Sequence, residues 1–277
     1  MTDMAQNRPV YLFCHVPKCA GTTVKRHMEI NAPERAARAK RRHGFLRDFG
    51  GDFTDLDRSA LDIERTDFVG GHSLSKSVAD AFPGRPIRSC VLLRDPVSFV
   101  VSFYNHRNRG AARVGRGPIS LDTYAKSLPK NPISRFLLTR YLGIGYPKIL
   151  TYDSRQRFEA IDAMLSTFWF VGSWLHASEL LTRLSAELNI PDKIEVKNVA
   201  SGNILPVTDV PEEFAKRIRT ENAVDHALFE RWSEAKWSGK PREIDIDLPT
   251  GDQLSYISNE IGRQVMNRVI KMMRPRL

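Results

Sequence analysis

The chain is poor in cysteine. Its 277 residues hold three, Cys14, Cys19 and Cys90, an odd number, and Cys14 and Cys90 sit inside apolar runs. Neither a disulfide framework nor a zinc site is expected. No stretch approaches the ~18 consecutive apolar residues of a membrane-spanning helix. Residues 1–9 are polar, without the apolar segment of a secretory signal, and no Asn-x-Ser/Thr acceptor occurs. Together these absences favour a reducing cytosol. There is no internal repeat and no long low-complexity segment. No H-x-x-E-H cluster and no carboxylate pair at ligand spacing occurs, so no metal is expected.

What the chain has is positive charge: a formal +10, with a sequence pI near 9.7. Such a field attracts nucleic acid, acidic polysaccharide or a membrane surface, and is equally compatible with a soluble protein that has a basic exterior. Two segments concentrate it. Arg35, Arg38, Lys40, Arg41 and Arg42 lie in a stretch, 34–48, whose composition is helical. Arg107, Arg109, Arg113 and Arg116 lie in 107–118, whose Gly and Arg content reads as a flexible loop.

Apolar runs bounded by polar or turn residues predict strands at 10–15, 67–71, 87–93 and 168–172. Helical patterns fall at 22–30, 75–82, 95–106, 120–128, 132–143, 154–166, 177–189 and 211–236, with 196–210 irregular. A last helix, 252–273, repeats Leu254, Ile257, Ile261, Val265 and Val269 as an apolar stripe, expected to pack on the core. Strands alternating with helices imply an α/β fold with a mostly parallel sheet flanked by helices. Ligands in such folds sit at the carboxyl ends of the strands, near a switch in strand order. Three of the strands end on chemically useful residues: His15 and Lys18, His72, and Arg94 with Asp95. One cleft built from three distant segments is expected.

The first strand leads into H-V-P-K-C-A-G-T-T, residues 15–23. Gly21 permits close backbone approach. The N–H groups of Gly21, Thr22, Thr23 and Val24 would be the free donors of a helix start, with the Thr22 and Thr23 hydroxyls and the Lys18 ammonium beside them. This suits a phosphate or a sulfate group. Lys18 precedes the glycine, however, and the G-K-[ST] order of a magnesium-nucleotide loop is missing, which argues against triphosphate hydrolysis. The second piece is R-D-P-V-S-F-V-V-S-F-Y, residues 94–104. Here a strand-end guanidinium and the Ser102 hydroxyl, two helical turns on, could hold a second phosphate.

H-x-P-K-x-x-G-T-[ST] followed by strand-end R-D-P and a helical S-x-Y resembles the sulfotransferases that use 3′-phosphoadenosine-5′-phosphosulfate (PAPS), closest to their heparan sulfate 2-O- and chondroitin-type carbohydrate branch. The resemblance implies a P-loop NTPase-like sulfotransferase fold over roughly residues 10–235. By it, Lys18, Cys19, Ala20, Gly21, Thr22 and Thr23 form the 5′-phosphosulfate site, and Arg94 and Ser102 the 3′-phosphate site. K-N-V-A-S at 197–201 resembles a late loop that closes over the nucleotide and adds Lys197 and Ser201. Cys19-Ala20 departs from a pair that is more often Thr-Gly, and Ser98 or Phe99 stands where many relatives carry arginine. Gly-His at the end of 68–72 resembles the catalytic histidine of the 2-O branch, so His72 is expected as general base, with Lys18 stabilising the leaving phosphate oxygen. His15 is the second candidate and His106 the third. The resemblance implies PAPS as donor, PAP as product, and a hydroxyl of a glycan or glycolipid, which could be anionic, as acceptor. The basic segments could rim the acceptor cleft. A bacterial cytoplasmic enzyme is expected, as one domain over 1–277 with a helical extension at about 250–277. Peripheral membrane contact is compatible with the charge, and no nucleic-acid partner is expected. The competing readings are a nucleotide kinase or NTPase, a basic nucleic-acid-binding protein, and a degenerate fold kept as a binding module.

Overall fold

The computed structural model describes residues 8–38, 62–193, 205–235 and 240–272. Strand β1 (Val10–Cys14) leads into helix α1 (Gly21–Asn31) and edge strand β2 (Ala36–Arg38). Strand β3 (Phe68–Gly71) follows, then a 3₁₀ turn at Lys76–Ala81 and strand β4 (Ile87–Leu93). Helices α2 (Pro96–Ala112), α3 (Leu121–Ser127), α4 (Pro132–Phe136), α5 (Tyr146–Leu150) and α6 (Ser154–Leu165) precede strand β5 (Phe170–Ser173). Helices α7 (Ala177–Leu188), α8 (Glu212–Glu221), α9 (Ala223–Trp232) and α10 (Gln253–Met272) complete the described chain.

The five strands form one parallel sheet in the order β2-β3-β1-β4-β5. All five residues of β1 are buried, as are the last five of β4. Strands covered on both faces read as unbroken apolar runs, which is why V-Y-L-F-C and C-V-L-L were legible as strands. The chain leaves β1 outward to β2, returns through β3, then crosses to β4 on the other side. The strand order therefore reverses at β1, where such folds place their ligands. Register does the rest. Cys14 is level with Gly71 and with Val91, so the next residues of β1 and β3, His15 and His72, emerge side by side.

Several expectations are corrected. Residues 36–38 are not helical: Ala36 pairs with Phe68 and Arg38 with Gly70 in a parallel strand. Tertiary contacts override the local propensity. Arg35, just before β2, donates to Asp67 at 2.6 Å and to the Leu188 carbonyl at 2.8 Å. Asp67 is fully buried and also accepts from Arg85 at 2.5 Å, with Arg8 at 3.4 Å. Such a buried carboxylate is tolerable only because it is multiply paired. Arg35 is thus a structural tie. Lys40, Arg41 and Arg42 lie outside the described residues.

The loop expected to begin at residue 107 is helical as far as Ala112, because no proline interrupts before Pro118. Residues 194–204, most of the stretch read as irregular, lie outside the described set. The apolar stripe of α10 does not face the core: Leu254 is 74% exposed and Ile261 61%. The opposite face is anchored instead, by the Tyr256 hydroxyl near Asn131 and Ser154 (2.7 and 2.9 Å) and by Glu260 with Arg135 (3.0 Å). The side chains of Val265 and Val269 are outside the described set. Among the described residues no helix is long and apolar enough to cross a membrane.

Candidate active site at the carboxyl ends of the strands

The loop from β1 to α1 has an alternating backbone. Lys18 and Ala20 sit at φ 64° and 56°, both in the left-handed region. Such alternation turns successive N–H groups toward one concavity, a nest for an anion. Ala20 is the N-cap of α1, and its carbonyl accepts from the N–H groups of Thr23 (2.9 Å) and Val24 (3.3 Å). Those two donors are spent inside the helix, contrary to expectation. The donors at the helix entrance are those of Gly21 and Thr22. The Thr22 side chain is exposed and that of Thr23 buried. Cys19 faces the core, where burial pushes its thiol up to about 12, and its N–H donates to the Val16 carbonyl at 3.3 Å. Ala20 stands in the left-handed region, where glycine would meet no Cβ penalty, so the departure from Thr-Gly carries a backbone cost.

Gly21 has a steric duty as well. A Cβ there would lie 1.8 Å from Cδ2 of His15. The His15 ring therefore rests directly on the helix start. On its other side the His72 ring lies 3.9 Å away, centroid to centroid, at 31°. Nδ1–H of His72 donates to the His15 carbonyl at 2.8 Å. A carbonyl only accepts, so the proton of the neutral His72 ring is on Nδ1 and the basic lone pair on Nε2.

Arg94, at the end of β4, closes the other side. Its Nη1 donates to the Lys18 carbonyl at 2.7 Å and its Nε to the Ser98 hydroxyl at 3.0 Å. Its guanidinium lies 4.2 Å from the centre of the Trp174 ring. Asp95 caps α2, accepting from the N–H groups of Val97 (3.0 Å) and Ser98 (3.1 Å). Ser102 stands further along the same helix, partly exposed. Lys18 points back to this helix, with Nζ 5.9 Å from the Phe103 ring centre. Burial lowers the Lys18 pKa, and so do the nearby Arg109 and Arg94 guanidinium groups. His106 is lowered by Lys18 first, then by burial, Arg109 and Arg113. It belongs to the cationic side of the site, away from the paired histidines.

The structure thus gathers Lys18, Gly21, Thr22, Arg94 and His72 from three strand ends around one anion-suited loop. Lys197 and Ser201 lie outside the described residues. Two partners of Arg94 were not expected as such: Trp174, and Ser98, which the sequence marked only as a departure from an arginine. The strand-end rule that singled out His72 and Arg94 would have reached Trp174, which directly follows β5. Ser98 had no comparable signal. Beside His72 a groove of about 90 Å³ opens between α1 and strands β2 and β3. Among the described residues no cluster of metal-binding side chains is found.

A parallel α/β sheet with an anion nest at its switch point, a second cation on the adjacent strand and a histidine beside both defines a protein built to act on a phosphate- or sulfate-bearing ligand. The profile of the Sulfotransferase family matches residues 3–175, more than half of the chain, and the chain belongs to that family. It is a transferase of sulfuryl groups. Among solved structures it is similar to a sulfotransferase from Alicyclobacillus acidocaldarius, at 18% identity and a TM-score of 0.43, over 83% of this chain and 99% of that one. No curated protein matches the chain.

Proposed function

We propose that the chain transfers the sulfuryl group of PAPS to a hydroxyl of a carbohydrate or glycolipid, releasing PAP, in the cytoplasm. The observation that carries this reading is the stacking of His72, its tautomer set by the His15 carbonyl, on the His15 ring that itself rests against the start of helix α1. PAPS supplies an activated sulfuryl group on a phosphate leaving group. The N–H groups of Gly21 and Thr22 and the Lys18 ammonium suit its 5′ end, and Arg94 with Ser102 its 3′-phosphate. Both fit the donor set, which is cationic and backbone-rich.

His72 Nε2 takes the proton of the acceptor hydroxyl as that oxygen bonds to sulfur. The electrons of the breaking S–O bond go to the phosphate oxygen, whose charge Lys18 neutralises. His72 is turned toward this task by the His15 carbonyl and by the ring stacked on it. The lowered pKa of Lys18 in the absence of ligand means that an arriving anion meets a cation poorly solvated by water, and the pair gains by forming.

The test has two arms. Titration calorimetry should show PAP binding, and labelled PAPS with a panel of glycans and glycolipids should give a mass shift of one sulfuryl group. Absence of PAP binding at hundreds of micromolar would sink the reading. His72→Ala should abolish transfer and leave PAP binding nearly intact; equal loss of both would make His72 structural.

A further inference from the structure

We propose that the groove beside His72 is the acceptor site and that it selects an uncharged hydroxyl compound with an apolar ring or short chain next to the reacting oxygen, rather than an anionic glycan. This rests on the reading of the chain as a PAPS-dependent transferase with His72 as base. The groove begins at the rings of His15 and His72, where a reacting hydroxyl has to sit. From there its walls are Phe13, Met28, Phe68 and Ala36, and Gly70 and Gly71 contribute backbone without side chains. A Cβ at position 70 would come within 2.9 Å of the Phe68 ring, so a side chain there would push that ring and alter the groove.

Charge separates the two halves of the cleft. Among the described residues, the groove's ionisable side chains apart from the imidazoles are Lys25 and Glu29, one helical turn apart on α1, and they pair with each other at 3.1 Å. The described walls of the groove therefore carry no net charge. Among the described residues a positive stretch lies across the loop, on α2, which has no acidic residue between Pro96 and Ala112. His106 and Arg109 on α2 and Arg113 just past its end recur at spacings of three and four, and their fields reach Lys18 or one another. The cationic field thus faces the donor loop. It suits the multiply charged nucleotide and is not directed at the acceptor.

The groove is small and partly open, so the part of the acceptor that its walls touch is the group next to the reacting oxygen. An apolar wall favours hydrocarbon next to the hydroxyl. A carboxylate or sulfate placed there would lose hydration and find its cation already paired.

The experiment uses the full chain with PAPS and two acceptor probes, 4-nitrophenyl β-glucoside and desulfated chondroitin. The expected result is transfer to the glucoside with kcat/KM about tenfold or more above that for chondroitin. Lys25→Trp, which fills the mouth of the groove, should lower glucoside kcat/KM about tenfold, with the PAP Kd from calorimetry within about twofold. Should that variant fail to fold, Ala36→Phe blocks the far end and serves the same purpose. Preference for chondroitin, transfer to neither probe by PAP-binding protein, or indifference to the blocking substitutions overturns the inference and leaves the donor site standing. Failure to bind PAP at all overturns both readings.

Discussion

The rings of His15 and His72 lie 3.9 Å apart, and the backbone carbonyl of the first accepts Nδ1–H of the second at 2.8 Å. One residue of the anion loop thereby sets both the plane and the tautomer of a histidine on the neighbouring strand. Because His15 also covers Gly21, the loop, the stacked rings and the helix start form one packed unit. Movement of any one part is felt by the others.

Gly21→Ala should break this unit. The new Cβ would stand 1.8 Å from the His15 ring, and the His72 ring stacked at 3.9 Å opposes the movement that would relieve the clash. PAP affinity is expected to fall about tenfold or more, roughly 1.4 kcal/mol, with transfer reduced further. Calorimetry and a circular dichroism spectrum check this together; unchanged binding would show that the ring moves freely.

Arg94→Lys keeps the charge and loses the fork. A lysine cannot bond the Ser98 hydroxyl and the Lys18 carbonyl at once, nor lie flat on Trp174. PAP Kd should rise about 10- to 100-fold. Adenosine 5′-phosphosulfate, which lacks the 3′-phosphate, should lose much less, and that contrast locates the defect.

Ala20→Gly should stabilise the fold. Ala20 is held at φ 56°, which costs an L-residue about 1 kcal/mol, partly offset by the greater unfolded-state entropy of glycine. A net gain of about 0.5 kcal/mol is expected, a rise of roughly 1–2 °C in Tm by calorimetric scan. A lower Tm would mean that the alanine methyl packs favourably.

Glu260 anchors α10. Burial opposes its ionisation, but Arg263 and Arg135 outweigh that and hold its carboxyl down at about 2 against an ordinary 4.5. A folded pKa below the unfolded one contributes stability that is present above about pH 4.5 and is lost as pH falls towards 2. Glu260→Gln should therefore cost about 2–3 kcal/mol at pH 7 and flatten the loss of stability between pH 4.5 and 2. Urea unfolding at several pH values measures both.

The strands β1, β3, β4 and β5 were legible because strands buried on both faces carry a strong local signature, and the Lys18 loop and Arg-Asp-Pro were legible because close spacing in sequence is close spacing in space. β2 was not. Ala36–Arg38 is basic and helix-prone by composition, and only pairing to β3 and the Arg35–Asp67 bond make it a strand. The α10 stripe misled for a related reason: periodicity reports an amphipathic helix but not which face is held, and Tyr256 and Glu260 hold the polar one.

The sequence by itself determined the class of fold, the joint between β1 and α1 and the polar residues at the strand ends, since each is written in a short run of adjacent residues. Tertiary structure alone decided that the His72 ring is protonated at Nδ1, which loop donors are spent, and that Ser98 and Trp174 hold Arg94. Those facts depend on strand register and on contacts between residues as many as eighty apart, and no local pattern encodes them.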